Sequence, residues 1–272
     1  MTMKIKEFMQ ILYDRADTDA SHYRKTCDTL KAGDPEKELS RIAVSMFGTP
    51  RVIREAAEWG ANLLIVHEPL YYDHWDSPET FQAQSGFLRE ILEKKKKLIE
   101  ESGLTIYRYH DHPHFCPEDQ ICMGELQYSG LRGRWIKGEH YAVNRFELEE
   151  AMPLRELVRI LECNLKIEHI RISGADDFSV RKLGLCFGTP GHIEEELGLN
   201  DVVLTGEICE WQHGEFVRDC AGLGLKKAIL VMGHNESERD GMRLLADQIR
   251  EKDPFPVRYF ESGPTYLYTD RG

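Results

Sequence analysis

Three short apolar runs in this chain each end in a cluster of histidines and carboxylates. Leu63 to Val66 leads into His67-Glu68-Pro69. Thr105 to Tyr109 leads into His110-Asp111-His112-Pro113-His114, and Ala228 to Met232 into Gly233-His234-Asn235-Glu236-Ser237-Glu238. Imidazole nitrogen suits zinc, iron, nickel and copper, and carboxylates can bridge two ions. Two ions ~3.5–4 Å apart can activate a water and hold the leaving oxygen of a hydrolysis. The candidate metal ligands are therefore His67, Glu68, His110, Asp111, His114, His234 and Glu238. His234 and Glu238 are four apart, so on a helix they share one face. Glu68 or Glu207 is the candidate catalytic base where it does not ligate. Alone, His67-Glu68-Pro69 suits a surface turn as well as a ligand, whereas three histidines within five residues favour metal. A structural zinc site using Cys116 or Cys122 with His110, His112 and His114 ranks last, because its spacing matches no common zinc pattern. The other histidines, at 22, 74, 140, 169, 192 and 213, stand alone in the sequence and take ordinary surface or core roles.

Ligand crevices of open α/β sheets lie beyond the carboxyl ends of the strands, so these clusters call for buried parallel strands that end together. The chain alternates short apolar runs with amphipathic segments, which is the α/β signature. Strands are expected at 39–47, 63–66 and 105–109, with helices at 51–59, opened by Pro50, and 80–101, closed by Gly103. The order recurs later: strands at 182–187, 202–205 and 228–232, with a helix ending near 197 and another over 210–221. Phe-Gly-Thr-Pro occurs at 47–50 and again at 187–190, and Glu68 falls opposite Glu207. We read an internal duplication: two related α/β domains with mixed sheets flanked by helices, whose strand-end clusters are candidates for one shared site. The expected domains are 1–125 plus 235–272, and 126–234. Between the copies lie a hairpin (133–137 and 141–147), a helix over 153–163 and a strand at 168–172; strands at 256–260 and 265–268 end the chain. The run Lys94 to Lys97 reads as a solvated helix face. Gly188-Thr189-Pro190-Gly191 reads as a turn.

Composition bounds the function. The 272 residues carry 35 Lys and Arg against 47 Asp and Glu, a net charge of -12. That balance argues against a duplex nucleic-acid binder, which needs a basic face. No segment approaches the ~20 apolar residues of a membrane span. The N-terminal stretch mixes charge into its apolar positions and reads as an amphipathic helix, not a signal peptide. Seven scattered cysteines without a CxxC pair fit the reducing cytoplasm. Motifs for phosphate loops, dinucleotide binding and the serine nucleophile elbow are absent.

The stretch GANLLIVHEPLYY resembles the signature GADLLITHHPLFF of the Nif-three-like family, whose members are often labelled GTP cyclohydrolase 1 type 2 homologs. RIAVSMFGTPRVIREA, KLGLCFGTPG, DVVLTGEI and GHNESE match further family motifs in family order, over nearly the whole chain. The resemblance implies two related α/β domains, a toroidal homohexamer built as a trimer of dimers, and a dinuclear divalent-metal site (Zn, Fe or Mn) in the inner cleft. On that pattern His67 matches the first histidine of His-His-Pro, and His234 and Glu238 match the C-terminal ligands. Three positions depart. Glu68 replaces the second histidine of that motif. His114 stands where the family's HTNLD ends in aspartate, with Asp111 as a nearby substitute. Trp211 stands where histidine is usual. The expectation is a metal-dependent hydrolase acting on an unidentified small molecule; the alternative is a non-catalytic metal-binding or regulatory scaffold.

Overall fold

Runs of four residues that leave no face for water must lie inside a sheet. In the computed structural model, which describes residues 2–16, 25–77, 85–189 and 191–269, these runs form the central strands of two units. Met1–Pro117 with Met242–Ser262 make one, and Glu118–Gly241 with Gly263–Gly272 the other.

In chain order the first unit contains α1 (Ile5–Arg15), β1 (Leu30–Ala32), β2 (Ile42–Ser45), α2 (Pro50–Glu58), β3 (Leu63–Val66), α3 (Gly86–Ser102), β4 (Thr105–Arg108) and α4 (Asp111–Phe115). The second contains α5 (Gln120–Ser129), β5 (Gly133–Lys137), β6 (Asn144–Pro153), α6 (Leu154–Leu165), β7 (Arg171–Gly174), β8 (Ser179–Cys186), α7 (Ile193–Leu199) and β9 (Val202–Thr205). A single π turn (Glu210–Gly214), α8 (Glu215–Gly222) and β10 (Ala228–Val231) follow. Helix α9 (His234–Lys252) gives residues 234–241 to the second unit and 242–252 to the first, and β11 (Val257–Tyr259) returns to the first sheet.

Both sheets are mixed. The first runs β1-β4-β3-β2-β11, with β11, β2, β3 and β4 parallel and β1 antiparallel at its edge. The second runs β5-β6-β8-β9-β10-β7; here β8, β9 and β10 are parallel, while β6 and β7 flank them antiparallel. Each sheet thus ends its parallel run on an antiparallel strand, β1 beside β4 in the first and β7 beside β10 in the second. Strands β2, β3, β4, β9 and β10 are buried at every residue.

Local chemistry accounts for the helix ends. Thr49 caps α2 by accepting from the Val52 amide at 3.2 Å, with Pro50 at the first helical position. Gly103 takes the left-handed conformation that ends α3. Helix α5 lies where no element is expected. Asp119 caps it through the Cys122 amide at 3.0 Å, and it packs Cys122 and Leu126 into the core of the second unit. That packing is why the second unit starts at Glu118 and not at 126. At Gly124 a Cβ would lie 2.4 Å from the Gly241 Cα, so α5 and α9 meet backbone to backbone.

Several expectations are corrected. Residues 265–268 form no strand. Helix 210–221 opens as a π turn, and the strand near 168–172 is 171–174. Positions 80–84 of the expected α3, and Pro190, lie outside the described residues. Among the described residues, no helix is long and apolar enough to cross a membrane. None of the seven cysteines is in a disulfide.

The Lys94–Lys97 face is not uniformly solvated: Lys95 is buried and donates from Nζ to the Leu70 carbonyl at 2.6 Å. Burial pushes its amine down to about 8 from 10.5. A lysine depressed in the folded state binds fewer protons folded than unfolded between those values. Stability therefore rises with pH from about 8 to 10.5. Lys95→Met is expected to remove that rise, as read by urea denaturation at several pH values; an unchanged pH slope would contradict the burial argument.

Candidate metal centre

In the first unit every site residue follows the carboxyl end of β3 or β4. His67 and Glu68 come directly after β3. Tyr109 and His110 follow β4, and α4 then carries Asp111, His112 and His114. His67, His110 and His114 each offer a donor atom, and the three atoms lie within 4.8 Å of one another. The His67 and His110 rings stack at 4.5 Å, and His114 stands edge-on to both at 5.3 Å. Burial, then the neighbouring His110 and His114, hold His67 well below the ordinary imidazole value. The neutral ring is the form that binds metal.

The surroundings orient these rings. His67 Nδ1 meets the Tyr109 carbonyl at 3.1 Å. His110 Nδ1 meets Asp111 Oδ1 at 3.0 Å, while Asp111 Oδ2 accepts from Thr26 Oγ1 at 2.7 Å and from the Cys27 amide at 3.0 Å. Burial raises the Asp111 carboxyl, but the hydrogen bonds with His110 and Thr26 outweigh it and hold the group far below the carboxylate range. Cys27 also lies within donor reach of His110 and Asp111, and burial raises its thiol. The Arg108 guanidinium, fully buried, donates to the His67 carbonyl at 2.7 Å, to the His74 carbonyl, and to Glu68 Oε2 at 3.3 Å. Glu68 Oε1 lies 3.9 Å from His110 Nε2.

His112 serves the framework. Asp28 accepts from its Nδ1 at 2.6 Å and from the amides of His110, Asp111 and His112 at 2.6, 3.0 and 2.8 Å. The ring stacks on Tyr13 at 4.3 Å. The cysteine-zinc reading fails on these contacts: the Cys116 thiol donates to the Ala16 and His112 carbonyls, and Cys122 belongs to the core of the second unit.

In the second unit Glu207 follows β9, and His234 and Glu238 open α9. His234 Nδ1 lies 2.5 Å from Glu207 Oε1, and its Nε2 lies 3.2 Å from Glu238 Oε2. The imidazole therefore stands between two carboxylates, one turn above Glu238 on one helix face. Room for this helix start comes from glycine. A Cβ at Gly206 would lie 2.7 Å from Ser237 Oγ and 2.9 Å from the His234 Cα. A Cβ at Gly188, whose φ is +59°, would lie 2.6 Å from Glu238 Oε1. Ser237 Oγ accepts from the Gly188 amide at 3.0 Å and donates to the His234 carbonyl at 3.1 Å.

Residues 3–262 match the family described as Duf34/NIF3 (NGG1p interacting factor 3). The chain belongs to this family. A Clostridium perfringens relative named GTP cyclohydrolase 1 type 2 homolog is 23% identical over 268 residues, covering 96% of each chain. A structural-genomics structure of protein ybgI, described as of unknown function, superposes with a TM-score of 0.76 at 21% identity, covering 97% of this chain and all of that one. Staphylococcus aureus protein SA1388 gives 0.74 at 18% identity, covering 98% and 99%. These structures share the fold of two mixed sheets flanked by helices.

Sequence reasoning missed Asp28, Arg108 and Gly206, which hold the site without belonging to any histidine cluster. Trp211, at the family's histidine position, is exposed on the π turn. His74 is not isolated: its ring stands 5.8 Å from His110. Asp28→Ala strands three backbone amides and one imidazole. It is expected to cost about 1–3 kcal/mol of stability, read by urea denaturation, with partial rescue by Asp28→Asn; a loss no larger than for an exposed aspartate would contradict the role.

Proposed function

We propose that this chain binds divalent metal through His67, His110 and His114, and that it is a metal-dependent hydrolase of unidentified substrate. The carrying observation is the convergence of three histidine donor atoms within 4.8 Å. Donors of a tetrahedral zinc site at ~2.0–2.1 Å from the ion lie ~3.4 Å apart, so modest closure would complete the set. Glu68 is the adjoining carboxylate ligand or general base, steadied by Arg108. Asp111 orients His110 and is not itself a primary ligand. His234 and Glu238 form a second donor set, with Glu207 orienting His234 through Nδ1 in the way carboxylates commonly support metal-bound histidine.

From the family resemblance we further infer that the two donor sets serve one dinuclear centre of zinc, iron or manganese, that the two units arose by duplication, and that the chain is a cytoplasmic hexamer. Divalent metal, when bound, supplies Lewis-acid activation of water and of the scissile bond. The protein's part is to keep His67 neutral by burial, fix the ring tautomers through Tyr109, Asp111 and Glu207, and present Glu68 as proton acceptor. The scaffold alternative predicts metal without turnover.

Elemental analysis of purified protein is expected to find divalent metal in the wild type and to lose it in His67→Ala/His114→Ala. Equal metal in both would overturn the reading. A screen with phosphoester, nucleotide and peptide substrates separates hydrolase from scaffold: metal-dependent turnover lost in Glu68→Gln supports the first, and metal without turnover the second. Light scattering is expected to give a mass near six times the 31.5 kDa chain; a monomer would remove the hexamer.

A further inference from the structure

His140 and His192 stand far apart in the sequence, yet the second unit stacks them. His140 sits in the turn between β5 and β6, where the Gly138 amide donates to the Val143 carbonyl and the Val143 amide to His140. His192 immediately precedes α7 with a left-handed backbone, φ 58°, which is uncommon for a residue with a Cβ. Their rings are parallel within 6° with centroids 3.7 Å apart. Glu195, on the first turn of α7, receives both: His140 Nε2 lies 3.1 Å and His192 Nδ1 3.4 Å from the same oxygen, Oε2.

We propose that His140, His192 and Glu195 form a second, surface site for a divalent transition-metal ion, independent of the candidate centre above. All three donor atoms lie within 4.8 Å of one another, and the two measured separations match the ~3.4 Å edge of a tetrahedral zinc site. Stacked rings cannot both aim a lone pair at one ion, so binding requires one ring to turn about its Cβ–Cγ bond. That torsion has broad wells. The half-exposed His192, at 41% side-chain exposure, has the freedom to make the turn. Two neighbouring acids of α7 are otherwise engaged: Glu196 is held by Arg145, and Glu194 by Gln212. Two imidazoles and one carboxylate select zinc, nickel or copper over magnesium and calcium. Three protein ligands leave a position for water, and the exposure of the cluster lets an ion enter without any opening of the fold.

The test is isothermal titration of the full chain with Zn2+ and with Mg2+, in a His67→Ala/His114→Ala/His234→Ala background that removes both donor sets of the first centre. A Zn2+ event without a Mg2+ counterpart is expected, and adding His140→Ala/His192→Ala is expected to abolish it. Glu195→Gln, which keeps the shape of the side chain, is expected to weaken it about tenfold. It decides the matter if the double variant misfolds. With Cu2+, electron paramagnetic resonance is expected to show nitrogen coupling that disappears in the double variant. A Zn2+ isotherm unchanged by both sets of substitutions would overturn the site. Metal retained in the His67→Ala/His114→Ala/His234→Ala protein would fault the first centre and leave this one standing only if His140→Ala/His192→Ala then removes it.

Discussion

A buried guanidinium must satisfy its hydrogens within the protein, because an uncompensated buried charge costs several kcal/mol. Arg108 is that group here, and the geometry of the first unit's site follows from it. It closes β4, reaches across to the loop after β3, and binds the His67 carbonyl, the His74 carbonyl and the Glu68 carboxylate. The loop therefore cannot shift without exposing or orphaning a cation. His110 lies two residues beyond Arg108, so the same anchor fixes both strand ends that carry imidazoles. Asp28 acts from the other side, binding the start of α4 through three amides and the His112 ring.

The second unit solves the corresponding problem by removing atoms. Gly188 and Gly206 bring two strand ends against the start of α9 at distances no side chain would permit, and Ser237 ties the first of them to the helix. His234 and Glu238 then need only helical spacing to share a face. One unit thus holds its donors with a buried ion and the other with close backbone contact.

Much of the α/β order was legible in the sequence, because β3 is an uninterrupted apolar run, β9 is apolar up to Thr205, both are bounded by turn residues, and α2 carries its Thr-Pro start in plain view. Helix α5 was not. Its apolar residues show little periodicity, and its signals are a single Asp119 cap and Gly130 at its close. The tail at 265–268 has the residue types of a strand but makes side-chain contact instead, with Tyr268 edge-on to His169. For the site, the histidine clusters were visible as spacing, whereas the division of labour within them was not. His112 looks like its neighbours until Asp28, eighty-four positions earlier, is placed beside it. His140 and His192 failed for the same reason: nothing local joins a hairpin turn to the start of a distant helix.

The two departures from the family's metal motif offset each other in charge. Where the pattern has histidine this chain has Glu68, and where it has aspartate this chain has His114, so the summed ligand charge is unchanged while its location moves. The negative charge now sits beside Arg108, which partly neutralises it, and α4 presents nitrogen alone. On the proposed reading, an ion among His67, His110 and His114 would meet a softer, less anionic field than the family pattern it resembles would give, which shifts preference from hard, oxygen-seeking cations toward those that favour nitrogen.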